Sequence, residues 1–301
     1  MKTQNIIKQL LFLSLGLIIL LGCDREETLQ PTPIFENGEP ESTDELDQFL
    51  KIEFRDIYGC VIHYKFVDKF IDPTKSAVPP RVEVVRPIAE LIKEAWIKPY
   101  NKASNQGDEF LKTYFPAEIV ILGSPIFNND NTITLGVADS GVRVTLTQAN
   151  NYAPGNTGWI LQTFRTLHHE FAHIVDQNFK FDIEAFFKIS EDSYTSPGSW
   201  TQEDEESAII RGMVTPYATS APSEDFAEIM ARIITTDPAV FESTYITPAD
   251  CSVAGAPANC GEINKGKAKI KQKYDVVVKY MKEQVGIDLF VLRDEFLNNI
   301  N

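Results

Sequence analysis

Apolar residues recur at helical spacing in three stretches of the chain. Over 159–179 the spacing of three and four residues predicts one long amphipathic helix. A second helix is predicted over 224–235, with Ser223 as its N-cap. A lysine-rich helix is predicted over 265–284, and its apolar stripe is expected to pack into the core.

Alternating apolar residues bounded by turn formers predict strands in the first half of the chain. Three such strands, expected to pair antiparallel, cover 118–122, 132–137 and 142–147. Shorter helical and strand-like pieces precede them, at 45–54, 60–67, 85–97 and 108–114. The pattern indicates an α+β fold, with an N-terminal α/β part over 45–150 and a mostly helical part over 151–301.

Residues 1–22 have the pattern of an export signal. Lys2 and Lys8 precede an apolar run over 10–21 that is too short to span a bilayer comfortably. The run ends at Cys23 and resembles the lipobox of bacterial lipoproteins, which implies cleavage before Cys23 and lipidation of its thiol. The alternative is an ordinary secretory signal followed by a chance cysteine.

The segment 23–44 is acidic and proline-containing and offers almost nothing to bury. We therefore interpret it as a flexible tether, which leaves 45–301 as the folded domain. The whole chain has 301 residues, of which 43% are hydrophobic, and this is enough for a substantial core. Its formal net charge of -15 repels nucleic acid, so nucleic-acid binding is excluded as a function.

Three cysteines follow Cys23 in a chain predicted to be exported, where disulfides can form. Cys251 and Cys260 bracket a segment rich in Gly, Pro and Ala, so a loop-closing disulfide between them is plausible. Cys60 lies in a hydrophobic stretch and is predicted to be a buried free thiol.

The five residues from His169 to His173 fit the pattern H-E-x-x-H. On a helix, both imidazoles project from one face and can reach one metal ion, with Glu170 beside them. Zinc held in this way acidifies water, and a carboxylate that does not bind the metal takes the proton during attack on a carbonyl. A helix turns His168 about 100° away from His169, so His168 is expected at the surface or behind the site.

A catalytic zinc site needs a third protein ligand. Glu224 lies 51 residues beyond His173, and Glu228 follows one turn later on the same helical face. One of them can bind the metal while the other orients a metal-bound histidine by a hydrogen bond. The alternative is that these acidic residues only complement the helix dipole.

His169–His173 followed by the segment Glu224-Asp225-Phe226-Ala227-Glu228 resembles the gluzincin clan of zinc metallopeptidases. Within the clan the chain is similar to the substrate import-associated zinc metallohydrolase lipoproteins of Gram-negative bacteria. The resemblance implies a zincin-like fold, in which a small antiparallel or mixed sheet packs on the H-E-x-x-H helix. A metzincin is excluded, because that motif would place glycine and histidine where this chain has Asp176 and Phe179.

The resemblance also implies a role for each site residue. His169, His173 and Glu224 would bind one zinc ion, and Glu170 would be the general base. Glu228 would orient a ligand, and here the chain departs from thermolysin-like enzymes, which carry aspartate at that position. In related gluzincins a tyrosine seven residues before the glutamate ligand faces the reacting carbonyl, so the resemblance implies that Tyr217 would stabilise the oxyanion.

The family further implies a setting in nutrient uptake, beside TonB-dependent transporters and their surface lipoprotein partners. Acidic residues just after Cys23 resemble signals that send lipoproteins to the cell surface, although the periplasmic face of the outer membrane would fit the same lipobox. The lipid would be the sole membrane anchor.

Three functions are compatible with these residues. The first is a zinc peptidase acting on peptides or proteins, for which the strand over 142–147 is a candidate edge for binding extended substrate. The second is a non-catalytic, zinc-containing lipoprotein that binds substrate for a transporter. The third is hydrolysis of a non-peptide amide, which would use the same chemistry.

Overall fold

A computed structural model describes residues 42–65, 70–128, 133–134, 136–139 and 142–300. The predicted signal segment 1–22 and the lipidation residue Cys23 lie outside the described residues. Of the predicted tether, only residues 42–44 are described, and they are exposed and outside helices and strands. From Glu45 onward the chain packs as one compact unit. No helix among the described residues is both long and apolar enough to cross a bilayer.

Among the described residues of the N-terminal part, three α-helical segments lie near their predicted positions. They are α1 (Glu45–Leu50, continued by Lys51–Arg55 and Asp56–Tyr58), α2 (Val82–Ile92, continued by Lys93–Ile97 and Lys98–Ala103) and α3 (Glu109–Tyr114). Gly59 ends α1 in the left-handed conformation, with φ of 67°. Cys60, which follows it, is buried as a free thiol, as predicted.

Four described strands form one mixed sheet in the order β1–β2–β6–β5. Their bounds are β1 Val61–His63, β2 Glu118–Ile121, β5 Gly136–Asp139 and β6 Arg143–Leu146, while β3 (Ile126–Phe127) and β4 (Ile133–Thr134) form a separate antiparallel pair. The sheet is mixed, one of the two forms that the resemblance implied, but the expected antiparallel pairing of the three predicted strands is wrong for β2 and β6. β2 runs parallel to both β1 and β6, and only β5 pairs antiparallel with β6 in this sheet. The connection from β2 to β6 is long enough to return the chain to the same end of the sheet.

The C-terminal part is mostly helical. Its helices are α4 (Thr157–Phe179), α5 (Ile183–Lys188), α6 (Glu205–Arg211), α7 (Pro222–Thr235), α8 (Pro238–Phe241), α9 (Cys260–Tyr280, continued by Met281–Val285) and α10 (Leu289–Ile300). The predicted stripe on α9 faces the core, where Val277 and Met281 are fully buried. A disulfide joins Cys251 to Cys260 at the start of α9.

The main core surrounds α4 and fixes its rotation. Phe171 on α4 lies 5.5 Å from the ring of Trp96 and 5.1 Å from the ring of Tyr100, both in edge-on contact from the α2 segment. Aromatic contacts of this kind bury large areas and prefer defined geometries. Because this face of α4 packs into the core, the face that carries His169 and His173 turns toward α7.

Candidate metal centre

The helix α4 begins where its sequence provides a cap. The side chain of Asn156 accepts a hydrogen bond from the backbone N–H of Trp159, and the Trp159 indole donates to the carbonyl of Gln148 just after β6. These bonds tie the start of α4 to the sheet. Three helical turns later the same helix presents His169 and His173 one turn apart.

The helix α7 packs antiparallel to α4. His169 on α4 meets Glu224 at the start of α7, while Arg165, one turn earlier on α4, donates to Thr235 at the end of α7. The predicted N-cap is wrong by two residues: Ala221 holds that position, and Pro222 begins the helix. Proline suits this place because its fixed φ matches the helix and its missing N–H would have no helical partner.

Three donor atoms form a triangle between the two helices. The Nε2 atoms of His169 and His173 are 3.3 Å apart, and the Glu224 Oε2 atom lies 3.0 Å from the first and 3.4 Å from the second. Zinc–ligand bonds of about 2.0–2.1 Å meeting at tetrahedral angles would separate the ligand atoms by about 3.3–3.4 Å. The triangle therefore fits one zinc ion, and two imidazoles with a carboxylate are the donor set that zinc favours.

Glu170 shares this space with the two histidines. A carboxylate oxygen of Glu170 and the ring nitrogens of His169 and His173 all lie within 4.8 Å of one another. Glu170 is 8% exposed. The Glu224 carboxylate lies 3.0 and 3.4 Å from the two imidazole nitrogens, so it completes the ligand triangle, and Glu170 lies beside it. The structure thus brings together His169, Glu170 and His173 of the motif with Glu224 from α7.

Glu228 lies behind the triangle. Its Oε1 atom is 2.8 Å from Nδ1 of His169, a charge contact rather than an aligned hydrogen bond. Its other oxygen accepts a hydrogen bond of 2.9 Å from the Thr215 hydroxyl. A carboxylate on the far nitrogen of a metal-binding histidine orients the ring and increases its basicity. Thr215 was not predicted, because a threonine before a proline carries no signal beyond that of a turn.

Tyr217 lies at the open side of the site. Its ring centroid is 5.8 Å from that of His169, and its side chain is 37% exposed. The Trp200 ring packs edge-on against it at 5.0 Å. The turn that carries Tyr217 is held by Thr215, whose hydroxyl accepts from the backbone N–H of Ala218. Thr215 therefore links the Tyr217 turn to Glu228.

The electrostatics of the site are governed by burial and by close opposite charges. Burial alone would lower the pKa of His169, but the carboxylates of Glu224 and Glu228 outweigh it and raise this pKa to about 10. Burial would raise the pKa of Glu224, but its contacts with both imidazoles outweigh that effect and lower the pKa. For Tyr217, burial and then the charges of Glu224 and Glu170 raise the pKa of the phenol, so it remains protonated as a hydrogen-bond donor.

His168 does not belong to the site. It is fully buried, so the expectation of a surface position is wrong. Its Nδ1 atom lies 3.4 Å from the Tyr100 hydroxyl, and its ring contacts Phe296 edge-on at 5.5 Å. Burial lowers the pKa of His168 to about 3, so the imidazole is neutral and acts as part of the core.

A buried ion pair beside the site was also not predicted. Asp225, next to Glu224 in α7, is fully buried and accepts hydrogen bonds at Oδ2 from Lys273 on α9 and from the Tyr194 hydroxyl, at 2.5 and 2.8 Å. Lys273 lies 48 residues away along the chain. No local pattern connects residues that far apart, so tertiary structure was needed to find the pair.

The prediction that the strand over 142–147 is an edge for binding extended substrate is also wrong. The strand β6 has a neighbour on each side, β2 and β5, so its backbone is not free to pair with an extended substrate. Among the described strands, β5 forms that edge of the sheet.

Two comparisons with known proteins agree with this geometry. Residues 39–290 match the model of a family described as "Putative zinc-binding metallo-peptidase". The chain is also similar to a crystal structure of a "putative zinc-binding metallo-peptidase" from Bacteroides caccae, with 30% sequence identity and a TM-score of 0.68. That match covers 89% of this chain and 96% of the other. Among curated proteins, none matches the chain.

Proposed function

The chain belongs to the family described as "Putative zinc-binding metallo-peptidase", and on that premise we propose that it is a zinc-dependent peptidase of the gluzincin type. The observation that carries the proposal is the triangle of His169 Nε2, His173 Nε2 and Glu224 Oε2, with sides of 3.0–3.4 Å. A buried carboxylate, Glu170, and a protonated phenol, Tyr217, flank it. This set combines a metal site with a base and an oxyanion donor.

Each flanking residue has one task in hydrolysis. When bound, zinc supplies Lewis acidity that acidifies water and polarises a carbonyl. The Glu170 carboxylate accepts the proton of the attacking water and later delivers it to the leaving amine. The Tyr217 hydroxyl donates a hydrogen bond to the carbonyl oxygen as negative charge develops there. Tyr217 can do so because its raised pKa keeps the proton on the phenol.

The test separates metal binding from catalysis. Wild-type protein is screened against a peptide library, and Glu170→Gln is then assayed on the peptides that are cleaved. We expect the variant to bind one zinc ion per chain but to lose about 10²–10⁴-fold in kcat, the contribution typical of a general base. Glu262→Gln, an exposed glutamate at the start of α9, is the matched control and should remain active.

Three outcomes would count against the peptidase proposal. Equal turnover by Glu170→Gln and wild type would remove Glu170 from the mechanism. A wild-type protein that binds zinc but cleaves nothing in the library would favour the non-catalytic binding lipoprotein. Cleavage of small amides without cleavage of peptides would instead identify the non-peptide amidase.

The cellular setting is a separate part of the proposal. Cys23 would carry the lipid that anchors the protein to the outer membrane, at the cell surface and beside a TonB-dependent transporter that imports the cleaved products. The resemblance of residues 1–27 to lipoprotein signals supports this setting. Cys23→Ala should abolish metabolic labelling with palmitate, and external protease should digest the wild-type protein on intact cells. Labelled protein that resists external protease would place it on the periplasmic face.

A further inference from the structure

Lys273 is a lysine whose side chain is fully buried, on α9 outside the metal centre. Its Nζ atom donates to Oδ2 of Asp225 at 2.5 Å and to the carbonyl of Gly212 at 2.9 Å. The ammonium also lies 5.4 Å from the centre of the Phe186 ring and 5.6 Å from that of Tyr194. Buried lysines are rare, and each needs partners for its charge and its donors.

The partners of Lys273 belong to the segments that carry the metal centre. Asp225 is the residue after Glu224 in the first turn of α7. Gly212 ends α6 in the left-handed conformation, with φ of 86°, and the connection that follows it leads to Thr215 and Tyr217. One ammonium group therefore fixes both the turn that supplies a ligand and the start of the segment that supplies the phenol.

Tyr194 extends this network to a third segment. Its hydroxyl donates to the same Asp225 oxygen that Lys273 contacts, at 2.8 Å. The next residue, Thr195, donates its backbone N–H to the carbonyl of Thr219, in the short helix that begins at Tyr217. The Tyr217 turn is thus held from one side by Thr195 and reached from the other through Gly212.

Stability alone does not account for a charged pair at this depth. Replacing a buried ion pair by apolar residues of similar size is often neutral or stabilising, because desolvation offsets the attraction. The pair instead fixes the orientation of a helix. One oxygen of Asp225 accepts hydrogen bonds from two donors in fixed positions, and these bonds set the rotation of the first turn of α7. That rotation decides where the neighbouring Glu224 points.

We propose that Lys273 is a positioning residue for the metal centre, holding Asp225 and Gly212 so that Glu224 and the Tyr217 segment are aligned before zinc binds. The proposal rests on the proposed function, because it concerns the same metal site. Residues that support ligands from behind typically change metal affinity by about 10–100-fold when they are lost.

The test replaces both charges together, since removing Lys273 alone would leave Asp225 buried without a counter-charge. Zinc affinity of the folded protein is measured by competition with a chromophoric chelator, for wild type and for the double variant Asp225→Asn with Lys273→Met. We expect the dissociation constant for zinc to rise by about 10–100-fold. Circular dichroism verifies that the double variant is folded.

Lys267→Met is the matched control on the same helix. Lys267 is also buried, but its Nζ atom donates to the carbonyls of Ser243 and Thr247, neither of which contributes a group to the metal centre. This variant loses a buried ammonium and should lower the melting temperature while leaving zinc affinity unchanged. A weakening of zinc binding by Lys267→Met equal to that of the double variant would overturn the proposal, because any buried charge on α9 would then have the same effect.

The remaining outcomes of the zinc-affinity measurement also test the proposal. A folded double variant that binds zinc as tightly as wild type overturns the positioning role and leaves the proposed peptidase intact. Wild-type protein that does not bind zinc overturns both. If the double variant does not fold, Tyr194→Phe takes its place: it removes one donor to Asp225 and should weaken zinc binding, and unchanged affinity would overturn the proposal.

Discussion

The first turn of α7 takes part in two clusters of charge that are balanced in different ways. Asp225 is fully buried and faces the ammonium of Lys273, a cation that belongs to the chain. Glu224, one residue earlier, faces His169 and His173 and retains 22% exposure of its side chain. The closed cluster, Asp225 with Lys273, is buried, whereas the open cluster, Glu224 with His169 and His173, is partly exposed to solvent.

This difference in the source of the positive charge determines what each cluster can do. Lys273 is covalently part of the chain, so it cannot be exchanged for another cation and can only hold a geometry. The imidazole and carboxylate cluster can exchange its cation: a proton on His169, whose pKa is raised to about 10, or a metal ion that takes the same nitrogen. A cation that can be exchanged suits a metal-binding site. A cation that belongs to the chain beside it suits a supporting role.

Lys273→Met should break the closed cluster and have the largest effect on stability. It leaves the Asp225 carboxylate buried without its partner, which costs about 3–5 kcal/mol of unfolding free energy. Glu224→Gln in chelator-treated protein should cost less, because solvent reaches that carboxylate and screens its charge. Urea denaturation measures the unfolding free energy of both variants. Equal losses of unfolding free energy would show that the two clusters contribute to stability in the same way.

Glu228→Gln should have an intermediate effect, confined to the open cluster. The neutral amide keeps the shape but weakens the contact with Nδ1 of His169, so zinc affinity should fall about 10–100-fold. Stability of the chelator-treated protein should change less than for Lys273→Met. Chelator competition measures the affinity, and Glu262→Gln on the surface is the control. Wild-type affinity in Glu228→Gln would mean that this carboxylate does not support the ligand.

Zinc binding and the stability of the chelator-treated protein should both depend on pH through His169. The pKa of His169 is about 10 in the folded protein and about 6.5 in an unfolded chain. Its contribution to the stability of chelator-treated protein is therefore fully present below pH 6.5 and is lost as the pH rises through about 10.

Zinc must displace the same proton, so binding at pH 8 should release about one proton from His169. Calorimetry in two buffers that differ in ionisation enthalpy measures this number. The Lys273–Asp225 pair contributes no such release. Binding enthalpies that do not depend on the buffer would contradict the assignment of an exchangeable proton to His169.

The sequence was sufficient for the parts of the site that depend on local spacing. The helical period over 159–179 predicted α4, and residues four apart on a helix share a face, so His169 and His173 had to converge. Glu224 and Glu228 followed from the same spacing on the next acidic helix. The structure places His169, His173 and Glu224 around one point, with Glu228 behind His169.

The features that depend on packing between distant segments could not be predicted from local spacing. The burial of His168 against Tyr100 and Phe296 required the position of α10, and the Lys273–Asp225 pair required that of α9. The parallel pairing of β2 with β6 depends on the path of a long connection rather than on either strand. At the start of α7, Pro222 takes the first helical position and moves the cap from Ser223 to Ala221.

A crystal structure of the protein grown with zinc, with diffraction recorded on both sides of the zinc absorption edge, tests the central claim most directly. The account predicts one anomalous peak, bonded to His169 Nε2, His173 Nε2 and Glu224 at about 2.0–2.2 Å. A peak elsewhere, or a Glu224 carboxylate turned away from the two imidazoles, would contradict it.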